Sequence, residues 1–507
     1  MNPAQALMRL SGWRARGLCA AAGSVAALAL PPFDLWPALF LGFSLALALI
    51  GTAPTSKAAA GRAWWVGLGW FGVTMHWIVQ PFFVEPEIYG WMAPFALVLM
   101  AGGLALFWAL AGGLAARFCG SGAVRFLALV GLLTLTEALR GRIFTGLPWA
   151  QPGHGLIGSE ALALSAFVGP LGLTLVLLVL AGASAALLAR PLIALAPLAV
   201  GLGLGVVPLT PDPLAMPDDA ATVRIVQINA PQHLKWDADY IPVFFQRALT
   251  LTAEAPGDHG APDLVVWPET SLPDILRRSD LARAEIAGAA RGAQVILGGQ
   301  RYAGIEPRNI LALLDPAGGV DQIYDKHHLV PFGEYLPLRG LTQRLGLQGI
   351  AAQLSGGYWP GAGPSLIDLG PLGRAFPMIC YEAIFPHYLR ALERPDFMVV
   401  ITNDAWFGSF AMPHQHLALA QLRAAEQGLP VIRAANTGIS AMIDGRGQIV
   451  EALPMDIHGI IDARLPPPRP STLYARTGDL PVLAVALLIT IIGSVLSGAI
   501  ERRPKAA

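Results

Sequence analysis

Apolar runs follow one another along this chain with little between them, and a stretch of about 20 mostly apolar residues is enough to cross a bilayer as a helix. Such runs fall at roughly 13–31, 35–52, 63–84, 91–115, 122–139, 161–189 and 191–208, and one more at 480–499. The pattern predicts a multi-pass α-helical membrane domain of about eight helices, seven before a long polar interval and one after it. Gly102–Gly103 and Gly112–Gly113 suit close helix packing in lipid. His76, Gln80 and Pro94 interrupt the third and fourth runs. Arg9, Arg14 and Arg16 before the first run, with Ala27-Leu28-Ala29 inside it, also fit a cleaved signal peptide, but a second apolar run follows almost at once, which favours a retained span. Composition agrees with a membrane protein. Of 507 residues, 54% are hydrophobic and 13% charged, against about 25% charged in soluble domains.

Basic residues in short loops set orientation. With the N-terminus inside, Lys57, Arg62, Arg117, Arg125, Arg190 and the tail residues Arg502, Arg503 and Lys505 all fall inside. Both termini are then cytoplasmic and residues 210–475 lie on the outer side. Arg140 and Arg142 break the rule; they are read either as contacts to phospholipid headgroups or as plain loop charges. The formal net charge is zero, which offers no basic surface for nucleic acid. Cys19, Cys119 and Cys380 stand far apart, so neither a zinc site nor a disulfide framework is expected, and no pattern calls for a metal or organic cofactor. A monomer is expected.

The organisation reads as a membrane domain over 1–210, a catalytic domain over 218–470, and a final span and tail over 471–507. Pro208–Pro217 and the run from Pro466 to Pro470 act as linkers. Between them, Val223–Asn229, Leu264–Trp267, Val295–Gly299, Ile310–Leu314, Ala375–Ile379, Met398–Thr402 and Ala441–Asp444 read as strands. Helical patterns lie near 239–255, 281–291 and 414–427. This is an α/β order with buried strands.

Glu269, Lys326 and Cys380 each sit at or just past a β-rich run, where α/β sheets present reactive groups. A thiol needs a base or a nearby cation to act as a nucleophile. Glu269 is suited to take its proton, and Lys326 to stabilise the thiolate and then an oxyanion, with the backbone N–H after Cys380 as a second donor. Singly, each has a plainer reading: a solvated loop carboxylate, a surface ammonium, a buried packing thiol.

The surrounding motifs are longer than these three residues. Val266-Trp267-Pro268-Glu269-Thr270, Lys326 through Val330-Pro-Phe-Gly-Glu334-Tyr335, and Cys380-Tyr381-Glu382 resemble, in that order, the Glu–Lys–Cys motifs of the nitrilase superfamily. Together with the flanking spans, they resemble the apolipoprotein N-acyltransferase family of the bacterial inner membrane. Val226-Gln-Ile-Asn-Ala-Pro-Gln, Lys235-Trp236, Asn403-Asp-Ala-Trp406-Phe-Gly, Phe144-Thr-Gly-Leu-Pro-Trp149 and Tyr474-Ala-Arg-Thr-Gly-Asp479 agree. The resemblance implies an αββα nitrilase-like sandwich beside the membrane helices. It also implies acyl transfer from a phospholipid to the N-terminal amine of a diacylglyceryl apolipoprotein, with Cys380 as nucleophile, Glu269 as general base and Lys326 as oxyanion stabiliser. Trp236, Glu334, Tyr381 and Glu382 match positions the family needs, and Trp406 joins Trp236, Phe332 and Tyr335 as a candidate for excluding water. His414-Gln-His416, after Ser409-Phe-Ala-Met-Pro, departs from the pattern, so no contact is assigned there.

The architecture suits such a reaction. Extracting a long acyl chain into water costs on the order of 10 kcal/mol at about 0.8 kcal/mol per methylene, and apolar helices offering lateral access avoid that cost. Two rivals remain at this stage. A membrane-tethered hydrolase of small amides keeps the same triad but gains nothing from eight spans. A transporter or receptor whose outer domain only binds ligand is the other; buried Asp, Glu or Lys pairs within spans would favour transport, and His76 and Gln80 are the few polar residues read inside them.

Overall fold

Helix α1 (Gly12–Ala27) opens the chain, and α2 (Trp36–Gly51), α3 (Ser56–Thr74) and α4 (Ala93–Phe118) follow the next three apolar runs. Then come α5 (Ala123–Arg140), α6 (Ser165–Ala186) and α7 (Pro191–Val206). The computed structural model describes residues 7–120, 122–337 and 357–501; the basic tail residues of the orientation argument lie outside them. Residues 1–211 and 472–507 form one compact unit, and 212–471 form another.

Each of the eight expected spans holds a helix, the last running Leu480–Glu501. Three segments, Pro86–Phe118, Glu160–Ala186 and Leu480–Ala499, are long and apolar enough by themselves to cross a membrane, while Trp36–Gly51 and Pro191–Val206 are shorter apolar helices. Two readings of the interrupted spans are corrected. The third α-helix stops at Thr74, and His76 and Gln80 fall in a 3-10 segment, His76–Phe83. Pro94 does not interrupt the fourth helix but starts it, at a position whose N–H would have no partner anyway. Helices α1 and α3 touch backbone to backbone: a Cβ built on Gly23 would lie 2.0 Å from the Val66 carbonyl oxygen. Only glycine permits that approach.

A buried ion pair in this unit escaped the hydropathy reading. Glu137 and Arg140, one turn apart on α5, are both shielded from solvent with Nη2 and Oε2 2.5 Å apart. Trp108 donates its indole N–H to Glu137 Oε1 at 2.7 Å. Arg140 donates to the carbonyl oxygens of Leu147 and Trp149 and lies over the Phe71 ring. Arg140 therefore neither contacts headgroups nor sits as a loop charge; it holds the Gly141–Ala150 loop from inside. Arg142, half-exposed, pairs with Asp479 at 3.0 Å. Such an intramembrane pair does not argue for transport, because its donors are spent on fixed backbone. Removing one partner of a buried pair leaves an uncompensated charge, which costs about 3–5 kcal/mol. Glu137→Ala is therefore expected to lower the thermal midpoint in detergent sharply; an unchanged melt would mean that the pair does not secure the loop.

The second unit holds two six-stranded sheets. The first contains β1 (Thr222–Gln227), β2 (Leu264–Val266), β3 (Gln294–Ala303), β4 (Glu306–Leu314), β5 (Val320–Asp325) and β12 (Gly459–Arg464), in spatial order β12-β1-β2-β3-β4-β5. The other contains β6 (Ile367–Asp368), β7 (Arg374–Ile379), β8 (Phe397–Thr402), β9 (Val431–Ala435), β10 (Ser440–Ile443) and β11 (Ile449–Leu453), in order β11-β10-β9-β8-β7-β6. Each sheet has a parallel centre, β1-β2-β3 and β7-β8-β9, with antiparallel flanks. Pro377 is tolerated within β7 because its outer neighbour β6 reaches only Ala375 and Arg374.

Both faces of the central strands are buried, so they read as continuous apolar runs rather than alternating ones. Val223, Ile225, Leu264 and Val266 of one sheet pack against Ile379, Val399, Ile401 and Ile432 of the other. Outside the first sheet, Val265, Val295 and Leu297 pack against α8 (Ile241–Thr252) and α9 (Asp280–Ala290). Outside the second, Phe376, Met398 and Val400 pack against α10 (Met412–Gln427). The layers are αββα, the nitrilase-like fold expected. The final helix, Leu480–Glu501, is α11.

Candidate active site

Each expected catalytic residue lies just past the C-terminal end of a strand. Glu269 follows β2, Lys326 follows β5 and Cys380 follows β7. Two of the turns are bent into left-handed backbone, with φ 49° at Thr270 and 52° at Cys380. Residues without glycine's freedom hold that conformation only where surrounding contacts enforce it. Gly298 on β3 makes room for the first turn: a Cβ there would lie 2.6 Å from the Glu269 Cα and from the Pro268 carbonyl oxygen.

Glu269 and Lys326 are both buried and stand 3.5 Å apart. Glu269 Oε1 accepts from Asn309 Nδ2 at 2.7 Å and Oε2 from the Asn403 backbone N–H at 2.8 Å. Lys326 Nζ donates to Glu334 Oε1 at 2.9 Å, and Asn309 Nδ2 also reaches Glu334, at 3.2 Å. Glu334 thereby fixes the direction of the Lys326 side chain. Burial works against the Lys326 charge, but Glu334 first, then Glu269 and Cys380, push its pKa above the ordinary lysine value. These carboxylates favour its charged form.

The Cys380 thiol is buried with the core that joins the two sheets. Burial, then the Glu269 charge, raises its pKa well above the ordinary thiol value against the opposing pull of Lys326. These influences favour the neutral thiol, and a thiol that starts neutral must lose its proton to act as a nucleophile. The cluster offers a thiol, a carboxylate that already accepts on both oxygens, and a fixed ammonium. That set suits nucleophilic attack on a carbonyl carbon.

The supporting residues divide by what they touch. Glu382 is fully buried. Its Oε1 accepts from Tyr324 Oη at 3.0 Å and from the backbone N–H groups of His327 and His328 at 2.8 and 3.1 Å; its Oε2 accepts from Ile379 N–H at 2.8 Å. One side chain thus ties the end of β7, before Cys380, to the segment after Lys326. Burial opposes its charge, but His327, the Ile379 amide and Lys326 outweigh it and hold the carboxyl below its ordinary range. A depressed folded-state pKa contributes stability above the unfolded value of about 4.3, lost as pH falls through the folded value. Glu382→Gln is therefore expected to cost about 1–3 kcal/mol at neutral pH, and the difference from wild type should shrink in acid. A gap in melting temperature that stays constant from pH 7 down to pH 2 would refute this.

Tyr381 packs edge-on against His328 and Phe385. Trp236 is 42% exposed and lines a cavity beside Glu269 with Ile228, Lys235, Phe245, Thr270 and Asn436. Lys235, buried, donates to the Glu269 carbonyl oxygen at 3.1 Å and to Thr270 Oγ1 at 2.9 Å; burial lowers its pKa to about 8, against the Glu269 charge. Trp406 is half-buried three residues past Asn403, and Tyr335 is half-buried too. Phe332, expected to exclude water, is exposed, with φ 64°.

Sequence reasoning missed Asn309, which sits inside β4 with no motif around it. It quoted Lys235 and Asn403 without a role. His416, left without a contact, is buried on α10 with Nε2 3.2 Å from the Cys380 carbonyl oxygen. Among the described residues no cluster of His, Cys, Asp and Glu is suited to a metal.

Comparison with known proteins covers both units. The carbon-nitrogen hydrolase family matches residues 222–470, and the apolipoprotein N-acyltransferase N-terminal domain matches residues 22–183. An apolipoprotein N-acyltransferase of Rhodopseudomonas palustris is 35% identical over 510 residues, covering 95% of each chain. One of Caulobacter vibrioides is 38% identical over 510 residues, covering 95% of this chain and 94% of its own. One of Brucella suis is 36% identical over 498 residues, covering 91% of this chain and 92% of its own.

Proposed function

The chain belongs to the apolipoprotein N-acyltransferase family, and on that premise we propose that it moves an acyl chain from a phospholipid to the N-terminal amine of a diacylglyceryl apolipoprotein through a thioester on Cys380. The observation that carries the reading is the buried meeting of Cys380 with Glu269 and Lys326 at the strand ends of one domain.

In the first half-reaction Glu269 takes the Cys380 proton as Sγ attacks the ester carbonyl carbon. Lys326 Nζ faces the oxyanion of the tetrahedral intermediate. Collapse breaks the ester C–O bond, and Glu269 returns the proton to the departing lysophospholipid oxygen. The acyl chain is left as a thioester. In the second half-reaction the neutral amine of the acceptor attacks the thioester carbon, Glu269 takes its proton, and the C–S bond breaks. Glu269 then reprotonates the sulfur. Ester and amine become alcohol and amide, and the enzyme returns to its starting state. Water competes for the thioester; Trp236 and the apolar lining beside Glu269 stand against it, with Tyr381 and Trp406 as further walls.

The apolar helices keep the enzyme in the bilayer where both substrates reside. The excess of basic residues in alternate loops supports cytoplasmic termini and a catalytic domain on the periplasmic side of the inner membrane. The test is to incubate the purified full chain with a phospholipid labelled on one acyl chain and a diacylated lipopeptide with a free N-terminus. An amide-linked labelled third chain is expected. Hydrolysis of small amides with no labelled lipopeptide would replace this reading with that of a tethered amidase.

A further inference from the structure

The chemistry leaves one buried cluster behind the Cys380 turn unused. Asp404, His416 and Arg433 are all fully buried and come from three elements: the turn after β8, helix α10 and strand β9. Arg433 Nη2 donates to Asp404 Oδ2 at 2.7 Å and lies 3.3 Å from His416 Nδ1. Thr402 Oγ1 donates to Asp404 Oδ1 at 2.8 Å, and that oxygen lies 3.1 Å from His416 Nδ1. On its other edge, His416 Nε2 is 3.2 Å from the Cys380 carbonyl oxygen. That carbonyl belongs to the residue whose φ is 52°, so its direction and the direction of Sγ are set together.

We propose that His416 is a positioning residue for the nucleophile, donating Nε2–H to the Cys380 carbonyl and so holding the left-handed turn that presents Sγ to Glu269 and Lys326. A carbonyl oxygen only accepts, so Nε2 carries the proton. Nδ1 faces two groups: Asp404 Oδ1 at 3.1 Å, which accepts a proton from it, and Arg433 Nη2 at 3.3 Å, which donates one to it. In the neutral ring Nδ1 accepts from Arg433, in the charged ring it donates to Asp404, and in both Nε2–H points at the Cys380 carbonyl. Burial first, then the Arg433 charge, lowers the His416 pKa, against the Asp404 charge and hydrogen bond and the Cys380 carbonyl, which raise it. Asp404 stays ionised despite burial, its pKa lowered to about 2 by Arg433 and then His416. The inference rests on the reading of Cys380 as nucleophile.

Two substitutions separate positioning from packing. His416→Gln places an amide N–H near the former Nε2. His416→Asn places one near the former Nδ1 and leaves the Cys380 carbonyl without that donor. The full chain in detergent is mixed with labelled phospholipid and no acceptor, and the rate of adduct formation on Cys380 is read in a single turnover. Wild type forming no adduct would defeat the nucleophile reading itself. With wild type active, His416→Gln is expected within about threefold of it and His416→Asn about thirtyfold slower, the effect of losing one buried hydrogen bond. Equal rates for the two variants, or His416→Asn at the wild-type rate, would overturn the proposal. If the variants fail to fold, the nitrogen shifts of His416 in ¹⁵N-labelled wild type decide: a proton on Nε2 supports it, and a bare Nε2 overturns it.

Discussion

Cys380→Ala is expected to abolish the labelled adduct and to reduce transfer to the lipopeptide by at least about 10⁴-fold, the scale seen when a covalent nucleophile is removed. The substitution deletes one sulfur from a packed core, a small change in volume, so the protein should still fold and melt near the wild-type temperature. The loss would then be chemical. In the wild type the adduct should be sensitive to hydroxylamine, as a thioester is, and should discharge when a diacylated lipopeptide is added. Discharge onto the lipopeptide distinguishes an intermediate from a dead-end modification. If Cys380→Ala still transfers the acyl chain, the amine attacks the phospholipid directly, and Cys380 is a buried packing residue after all.

Glu269→Gln should move two rates in opposite directions. The Cys380 thiol is held above its ordinary pKa by burial and, next, by the Glu269 charge. Replacing that charge with a neutral amide removes a raising influence and leaves Lys326 pulling the pKa down. The thiolate fraction at a given pH therefore increases. Alkylation of Cys380 by iodoacetamide, which needs only thiolate and access, should reach its half-maximal rate at lower pH than in wild type. Thioester formation needs a group that accepts the thiol proton and then hands it to the leaving oxygen, and the amide does neither. It should fall by about 10²–10⁴-fold. Two rates that fall together would point instead to a collapsed site, since Glu269 also anchors Asn309 and the Asn403 amide; a melting curve on the same sample tells whether that happened.

Local patterns were readable wherever one residue's environment follows from its neighbours in sequence. The eight apolar runs are legible because a bilayer demands about 20 consecutive residues. The central strands other than β9 are legible because burial on both faces makes them continuously apolar. The strands β6, β9, β11 and β12 were missed: β6 is two residues long, Arg433 breaks the apolar run of the buried β9, and β11 and β12 each carry an acidic residue on a partly or fully exposed strand. Glu137 was missed because one carboxylate in an apolar run hardly changes its mean hydropathy, although its partner Arg140 lies only one turn away.

The identities of Glu269, Lys326 and Cys380 were legible from motifs; their meeting was not. About 55 residues separate each from the next, and only the stacking of two sheets brings the ends of β2, β5 and β7 together. Glu334 was legible as a motif residue, but its 2.9 Å contact with Lys326 was not. His416 looked like an irregularity until α10 placed it behind the Cys380 carbonyl. Hydropathy and short motifs report on neighbours along the chain, so they determine which segments enter the membrane, which become central strands and which residue types are available for chemistry. Charge states, hydrogen-bond partners and the direction of a side chain depend on groups far away in sequence, and the folded structure alone decides them.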